Sequence, residues 1–375
     1  MAYQSTNPFT GKVDKSFDDI NAAQLEEKLK HAQACYKSDW SGRSFAERTA
    51  ILKRAAALMR ERSQQLAELI TLEMGKLIAQ SQGEVALSAS ILDYYADHAE
   101  QFLAPEKLKT PRGEAMVESS PIGVLFGVQP WNYPYYQIAR FAAPNLMAGN
   151  VVMVKHASSV PQCALAFEQL MLDAGAPTGA YTNLFITKDQ VTQVIEDPRI
   201  RAIALTGSEG AGAIVAAQAG KQLKKTTMEL GGSDAFIVLE DADLEKAVKH
   251  AVSGRMGNSG QACTASKRFI VVDKLADSFL DKFQAALGQF APGDPLDKAT
   301  TLAPLSSAQA LKDLLKQVDG AVSGGARVVM GGKRIDGLPG NFMQPTILCD
   351  ISPSNPAYGQ EFFGRSEERR VGKEC

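Results

Sequence analysis

The sequence lacks several features that would assign it to a specialised class of protein. Its five cysteines are widely scattered, with no close pair of the zinc or redox kind, so no metal site is indicated and a cytoplasmic protein with reduced thiols is expected. The formal charge of −2 provides no basic face for nucleic acid. No apolar run approaches the roughly 20 residues of a membrane span. The first ten residues have neither the basic nor the apolar region of a secretory signal.

Histidine is scarce as well, with four residues in the chain. His31, His98 and His250 fall in stretches with a helical pattern, and His156 carries no independent signal of a role. A papain-like cysteine hydrolase needs a histidine beside its thiol. The absence of a candidate therefore argues against that class.

What the chain does contain is typical of a globular α/β protein of two or three domains. It has 375 residues, 45% of them hydrophobic and 22% charged. The first hundred residues show helical periodicity, with a capping box at Ser44–Glu47. From residue 121 onward strands alternate with helices, which predicts a parallel sheet covered on both faces. A second α/β block follows Gly232, so a domain boundary is predicted near residue 231.

Two segments do not fit that pattern. Residues 105–118 are charged and alternating, and they are interrupted by Pro111-Arg112-Gly113. They predict either a surface hairpin or an arm that reaches a partner subunit, and the sequence leaves both open. Residues 365–375 are polar and without a periodic pattern, and they are interpreted as a tail foreign to the rest of the chain.

Polar residues follow the predicted strands of the first block. Asn132, Lys155, Gly207 and Glu229 all come just after such strands, and ligands of parallel sheets bind at the carboxyl ends of strands. The stretch Gly207–Gly212 joins a strand to a helix, as a phosphate-facing turn does, although an ordinary tight turn would look the same. Lys155 could bond a ribose or a phosphate, or lie on the surface.

Cys263 is the candidate nucleophile, in a loop that begins with Asn258 and contains Gly260. An inert buried thiol is the alternative. Glu229 could act as a general base, and the Asn132 side-chain amide could donate to an oxyanion. A thiol combined with a dinucleotide site suggests that a thiohemiacetal passes a hydride to a nicotinamide.

Four motifs in this order and spacing resemble the aldehyde dehydrogenase superfamily, over residues 5–364: Pro130-Trp131-Asn132-Tyr133-Pro134, Thr206-Gly207-Ser208, Met228-Glu229-Leu230-Gly231-Gly232 and Gly260-Gln261-x-Cys263. The resemblance implies a Rossmann-like dinucleotide-binding domain over 1–104 and 119–231, an oligomerisation hairpin over 105–118 and a catalytic domain over 232–364. It also implies that Cys263 forms the thiohemiacetal and thioester, that Glu229 activates the deacylating water, and that Asn132 and the Cys263 amide hold the oxyanion.

The cofactor implied by the resemblance is NAD or NADP. Lys155 matches the lysine on the adenosine ribose, and Glu361 matches the glutamate on the nicotinamide ribose. Ser158 stands where many NAD-using relatives have a glutamate, and a serine would not repel a 2′-phosphate, so NADP should be tolerated. The remaining positions implied at the cofactor are Trp131, Gly207, Ser208, Gly212, Leu230 and Phe363.

Within the superfamily the chain is most similar to bacterial succinate-semialdehyde dehydrogenases. Arg140 matches an arginine that such enzymes use for the carboxylate of a small aldehyde substrate. The position of a second such arginine is occupied by Gly257, with Arg255 close by. The resemblance also implies a homo-oligomer.

The chain departs from the superfamily pattern after Gly364, where relatives continue with proline and a further long segment. The expectation is therefore an incomplete catalytic domain, with compromised assembly and weak activity. Two other functions stay open at this stage, a cysteine-dependent esterase or acyl-transfer hydrolase and an inactive dinucleotide-binding relative.

Overall fold

The computed structural model describes residues 3–364 and the backbone of residues 366–372; residues 1, 2, 365 and 373–375 lie outside the described part. The α-helices are α1 Ala22–Ser38, α2 Phe45–Glu61, α3 Ser63–Met74, α4 Ile78–Phe102, α5 Pro134–Met147, α6 Pro161–Asp173, α7 Lys188–Glu196, α8 Glu209–Lys221, α9 Leu244–Met256, α10 Asp273–Leu287 and α11 Ala308–Ser323. The strands are β1 Tyr3–Thr6, β2 Val13–Phe17, β3 Glu106–Thr110, β4 Gly113–Val117, β5 Val124–Gln129, β6 Val151–His156, β7 Tyr181–Asn183, β8 Ile200–Thr206, β9 Lys225–Glu229, β10 Asp234–Val238, β11 Ser266–Val272, β12 Arg327–Met330, β13 Thr346–Cys349 and β14 Ser366–Gly372.

The chain divides into two compact units. The first comprises residues 3–5, Lys15–Leu69 and Gln82–Leu230, and the second comprises Thr6–Asp14, Ile70–Ser81 and the described residues of 231–372. The sequence predicted the boundary near residue 231 but placed residues 6–14 and 70–81 in the first unit. They join the second because Gly75 packs against the rings of Pro304 and Pro8 and the Ile78 amide donates to the Pro295 carbonyl at 2.9 Å.

The first unit is built around a five-stranded parallel sheet in the order β7-β6-β5-β8-β9. The central strand β5 and its neighbour β6 are buried along almost their whole length, as expected where helices cover both faces of a sheet. The capping box of α2 is present, because the Ser44 hydroxyl accepts from the Glu47 amide and the Glu47 carboxylate accepts from the Ser44 amide. The predicted α/β fold with a parallel sheet is confirmed.

The second unit contains a sheet in the order β10-β11-β14-β13-β12, parallel except for the pair β12–β13. Aromatic side chains of β11 and α10 fill the core on one face of this sheet, among them Phe269, Phe279 and Phe283. The backbone of Ser366–Gly372 pairs with both β11 and β13, although the sequence of this tail has no strand pattern. Main-chain pairing uses the N–H and C=O groups that every residue except proline carries, so it does not require such a pattern.

A two-stranded antiparallel hairpin is formed by β3 and β4. Every residue of both strands is exposed, including the apolar side chains of Leu108, Met116 and Val117. A surface hairpin is therefore present where one was expected, and its role in assembly stays a prediction.

Among the described residues, none of the helices combines the length and the apolar character needed to cross a bilayer.

Candidate active site

Four neighbouring strands of the first unit end beside the residues predicted to bind ligand. Asn132 follows β5, Lys155 is the last but one residue of β6, Gly207 follows β8, and Glu229 is the last residue of β9. Since β6, β5, β8 and β9 are adjacent and parallel, these residues lie at one edge of the sheet, where such folds bind ligands. The sequence predicted this common edge, but Lys155 and Glu229 belong to their strands and do not follow them.

The loop that carries Asn132 connects β5 to α5. Trp131 is half-buried and Asn132 is buried. The first turn of α5 is capped by a residue distant in the sequence, because Oε1 of the buried Glu84 accepts from the amides of Tyr135 at 2.9 Å and Tyr136 at 3.3 Å. A carboxylate at a helix N-terminus satisfies donors that the helix itself cannot pair. Glu84 therefore fixes the chain immediately after Asn132.

Arg140 and Glu229 lie side by side in the first unit. Arg140 Nη1 is 3.7 Å from Glu229 Oε2, and Nη2 donates to the Thr206 hydroxyl at 3.3 Å. The guanidinium carbon also lies over the Tyr136 ring, 5.7 Å from its centroid. All of these groups except Tyr136 line a cavity of about 420 Å³ whose wall is formed by α5, β5, β8 and β9. The structure thus joins the candidate base and the candidate carboxylate-binding arginine.

The turn between β8 and α8 is suited to bind an anion. The Ser208 hydroxyl caps α8 by accepting from the Ala211 amide at 3.4 Å, and the amides of the first helical turn face outward from the helix end. The Gly207 amide, in contrast, donates to the Glu229 carbonyl at 3.0 Å, so its proton is already used within the protein. Gly212 lies so close to Leu230 that an added Cβ would be 2.6 Å from Cδ2 of that leucine.

Lys155 and Ser158 lie on the other side of β5 from that turn. Lys155 Nζ donates to the His156 carbonyl at 3.1 Å and is 5.2 Å from the centre of the Tyr3 ring. Burial lowers the pKa of Lys155. Ser158 is half-buried, and its carbonyl accepts from the Gln4 amide. A cation at one strand end and a helix N-terminus at another fit the ribose and pyrophosphate of NAD or NADP.

In the second unit, the loop before Cys263 has an unusual backbone. Asn258, Ser259 and Gly260 have φ angles of 52°, 57° and 75°, in the left-handed region. Gln261 holds this loop: its Nε2 donates to the Asn258 carbonyl at 3.1 Å, and its carbonyl accepts from Asn258 Nδ2 at 3.1 Å. Cys263 follows in a turn closed by the Ala265 amide and the Ala262 carbonyl, and its side chain is half-buried.

Glu361 and Phe363 are half-buried in the same unit as Cys263. Their segment is held by Arg255, which is fully buried and donates from Nη2 to the carbonyls of Phe362, at 3.1 Å, and Gly364. The sequence had left Arg255 as a neighbour of the missing second substrate arginine. Because its guanidinium donates hydrogen bonds to buried backbone carbonyls, Arg255 is not placed to bind a substrate carboxylate.

A sequence model of the aldehyde dehydrogenase family matches residues 1–365. The chain belongs to this family. Among curated aldehyde dehydrogenases, it is 51% identical to the succinate-semialdehyde dehydrogenase [NADP(+)] of Deinococcus radiodurans, over 96% of this chain and 76% of that protein. A probable enzyme of the same name from Synechocystis is 44% identical, over 97% of this chain and 80% of the relative.

Solved structures of other proteins are similar to the chain to the same degree. Succinic semialdehyde dehydrogenase from Streptococcus pyogenes, in complex with NADP+, matches with a TM-score of 0.96 and 47% identity, over 99% of this chain and 82% of that one. The structure of Gox0499 matches with a TM-score of 0.98 and 52% identity, over 100% and 82% of the two chains. The expectation of an NAD(P)-dependent aldehyde dehydrogenase is confirmed, whereas the roles of individual residues stay predictions.

His156 is a residue of this aldehyde dehydrogenase to which the sequence assigned no role. Its ring is buried between β6 and the loop of Asn132. Nδ1 lies 2.9 Å from the Ala157 amide nitrogen and 3.2 Å from the Gln129 carbonyl oxygen, and Nε2 lies 3.0 Å from the Pro134 carbonyl oxygen. Burial lowers the pKa of His156 from 6.5 to about 4. The ring therefore links β6 to the start of α5.

We expect His156 to contribute a pH-dependent part of the stability. Since its folded pKa lies below the unfolded one, this contribution is complete above pH 6.5 and is lost as the pH falls towards 4, by about 2 to 3 kcal/mol at pH 4.5. His156→Gln cannot ionise, so the stability difference between wild type and variant should shrink by that amount between pH 7 and pH 4.5. Urea unfolding at the two pH values measures it, and a difference that does not change with pH would contradict the assignment.

Proposed function

We propose that this chain oxidises succinate semialdehyde to succinate and uses NADP as its cofactor, as a cytoplasmic enzyme. The observation that carries the proposal is Arg140 on the wall of the cavity beside Glu229. A guanidinium there would hold a carboxylate at the far end of a short aldehyde. The names of relatives from Deinococcus radiodurans and Synechocystis agree with this substrate and cofactor. The described cysteines are all free thiols, as the cytoplasm allows.

In the proposed reaction, the Cys263 sulfur adds to the aldehyde carbon and forms a thiohemiacetal. The side-chain amide of Asn132 and the amide of Cys263 donate to the carbonyl oxygen as it becomes negative. A nicotinamide, when bound, would supply the hydride acceptor, and loss of a hydride from the thiohemiacetal would leave a thioester on Cys263. Glu229 then takes a proton from the water that attacks the thioester, which releases the acid and restores the thiol.

Cofactor binding is assigned to Lys155, Ser158, the N-terminus of α8 and Glu361. Lys155 would bond the adenosine ribose, and the N-terminus of α8 with Ser208 would receive the pyrophosphate. Gly212 and Leu230 would shape the surface under that phosphate group. Ser158 would tolerate a 2′-phosphate because it adds no negative charge beside it.

The substrate proposal predicts a selective effect of Arg140→Leu. A charged hydrogen bond contributes about 2 to 3 kcal/mol, so kcat/KM for succinate semialdehyde should fall roughly 30- to 150-fold. The rate with butanal, which has no carboxylate, should change less than about threefold on the same reasoning. Formation of the reduced nicotinamide at 340 nm measures both. An equal loss on both aldehydes would show that Arg140 acts through Glu229 and not through the substrate.

The same assay tests cofactor use and the two other functions. NADP should support turnover at least as well as NAD in the wild-type chain; a chain that turns over with NAD but not with NADP at millimolar concentration would contradict the NADP proposal. A hydrolase would cleave an activated ester without any nicotinamide signal, and an inactive relative would bind cofactor without turnover.

A further inference from the structure

A buried lysine lies directly behind the cysteine turn. Lys267 occupies β11, whose burial alternates along the strand, and it shares the buried face with Phe269 and Val271. A lysine at such a position is unusual, since an ammonium group loses its hydration on burial and must be compensated by oxygen atoms. Only 2% of the Lys267 surface is exposed.

Three oxygen atoms surround the Lys267 ammonium. Nζ donates to the Cys263 carbonyl at 2.6 Å and to the Ala265 carbonyl at 3.3 Å. It also lies 3.0 Å from Glu361 Oε1. The burial of the ammonium group is therefore compensated by two carbonyl acceptors and by the negative charge of the carboxylate. The lysine therefore joins the turn that holds Cys263 to the side chain of Glu361.

Glu361 is itself confined on its other sides. Its backbone carbonyl accepts from Gln317 Nε2 at 3.0 Å. The Gly231 backbone lies so close that an added Cβ there would be 2.1 Å from Oε2 of the glutamate. Because the carboxylate is bounded by Gly231 on one side and Lys267 on the other, a displacement of Glu361 is transmitted to Lys267.

We propose that Lys267 is a positioning residue that couples cofactor binding at Glu361 to the placement and reactivity of Cys263. The inference rests on the proposed roles of Glu361 and Cys263. Lys267 touches neither the substrate nor the cofactor in this proposal. It acts by holding the Cys263 carbonyl and the Glu361 carboxylate in one fixed arrangement, so that a displacement of either group displaces the other.

The test is a double-mutant cycle of Lys267→Met and Glu361→Gln, read by two measurements that need no turnover. One is the NADP dissociation constant, from quenching of tryptophan fluorescence; the other is the rate at which iodoacetamide alkylates Cys263, identified by mass spectrometry. We expect Lys267→Met to weaken NADP binding about tenfold and to change the alkylation rate at least threefold. In the double variant the fold-changes of the two single variants should not multiply, because both substitutions break the same ion pair between Lys267 and Glu361.

Lys274→Met is the matched control, since Lys274 is an exposed lysine of the adjoining helix α10 and should leave both values unchanged. Glu361→Gln alone should also change Cys263 alkylation at least threefold, which keeps the test valid if Lys267→Met does not fold. An unchanged alkylation rate in Glu361→Gln, or effects that multiply in the double variant, would overturn the proposal. Failure of the proposed substrate would appear separately, as a wild-type chain that binds NADP but does not oxidise succinate semialdehyde.

Discussion

Cys263→Ala is expected to lower aldehyde oxidation by about 10³-fold or more while the chain still folds and binds NADP. Removing the sulfur removes the covalent intermediate, and no neighbouring group can replace it in the reaction proposed here. The side chain is half-buried in a turn, so its truncation to alanine leaves no large cavity in the core. Turnover at 340 nm and NADP binding, measured on the same preparation, separate loss of chemistry from loss of fold.

Cys35 provides the matched control for that prediction. It is buried in α1, and burial raises the pKa of its thiol to about 11, so it stays protonated at pH 8. Cys35→Ala should therefore keep its activity, and alkylation of the wild-type chain should inactivate it in proportion to the modification of Cys263. A Cys263→Ala variant with more than a trace of wild-type turnover would refute the covalent mechanism.

Local signals in the sequence were sufficient to predict most of the fold. The bounds of helix α6 are marked in the sequence, because Pro161 suits a first helical turn and Gly175 adopts a φ of 93° just beyond the last turn. Strand β7 is marked less clearly: the apolar run 183–186 indicates a strand there, but the ladder covers Tyr181–Asn183. Leu184, Phe185 and Ile186 are buried but do not belong to that ladder. An apolar run indicates that its residues are buried, and it does not show which of them pair with a neighbouring strand.

The candidate site was predictable only as far as chain topology determines it. Parallel strands bring their carboxyl ends to one edge, so Asn132, Lys155 and Glu229 could be placed together from strand order alone. The pairing of Arg140 with Glu229 and the cap that Glu84 provides depend on which side chains meet across different elements. Such contacts are determined by tertiary packing, and a local sequence pattern does not predict them.

Lys267 had a signal that could have been found in the sequence. Ser266–Val272 alternates between half-buried and buried positions, and the period of two places the lysine on the same face as two core residues. A charged residue at an inward position requires buried oxygen partners, and the turn that precedes it contains Cys263. A buried cation near the nucleophile was therefore implied by the alternation of the strand, although its partner Glu361 was not.

The second large effect is expected from Gly260→Ala. Gly260 has a φ of 75°, and an added Cβ would lie 2.2 Å from the Gly364 carbonyl oxygen. That oxygen cannot move away easily, because it accepts a hydrogen bond from the buried Arg255 guanidinium. The left-handed backbone costs about 1 to 2 kcal/mol for a residue with a Cβ. Displacement of the backbone should bring the total loss of stability to about 3 kcal/mol or more.

Activity should fall further than stability alone explains, by about 100-fold, because misplacement of reacting groups by 1 Å has that effect. The clash lies between the loop of Cys263 and the segment that carries Glu361, so both groups move. Gly337→Ala is the control: Gly337 has a φ of 78° and open space at its Cβ, so this variant suffers the backbone penalty without a clash. Urea unfolding and kcat of the two variants should differ widely. If the two variants lose stability and activity equally, the left-handed backbone accounts for the entire loss. Contact with Gly364 then does not hold the nucleophile loop in place.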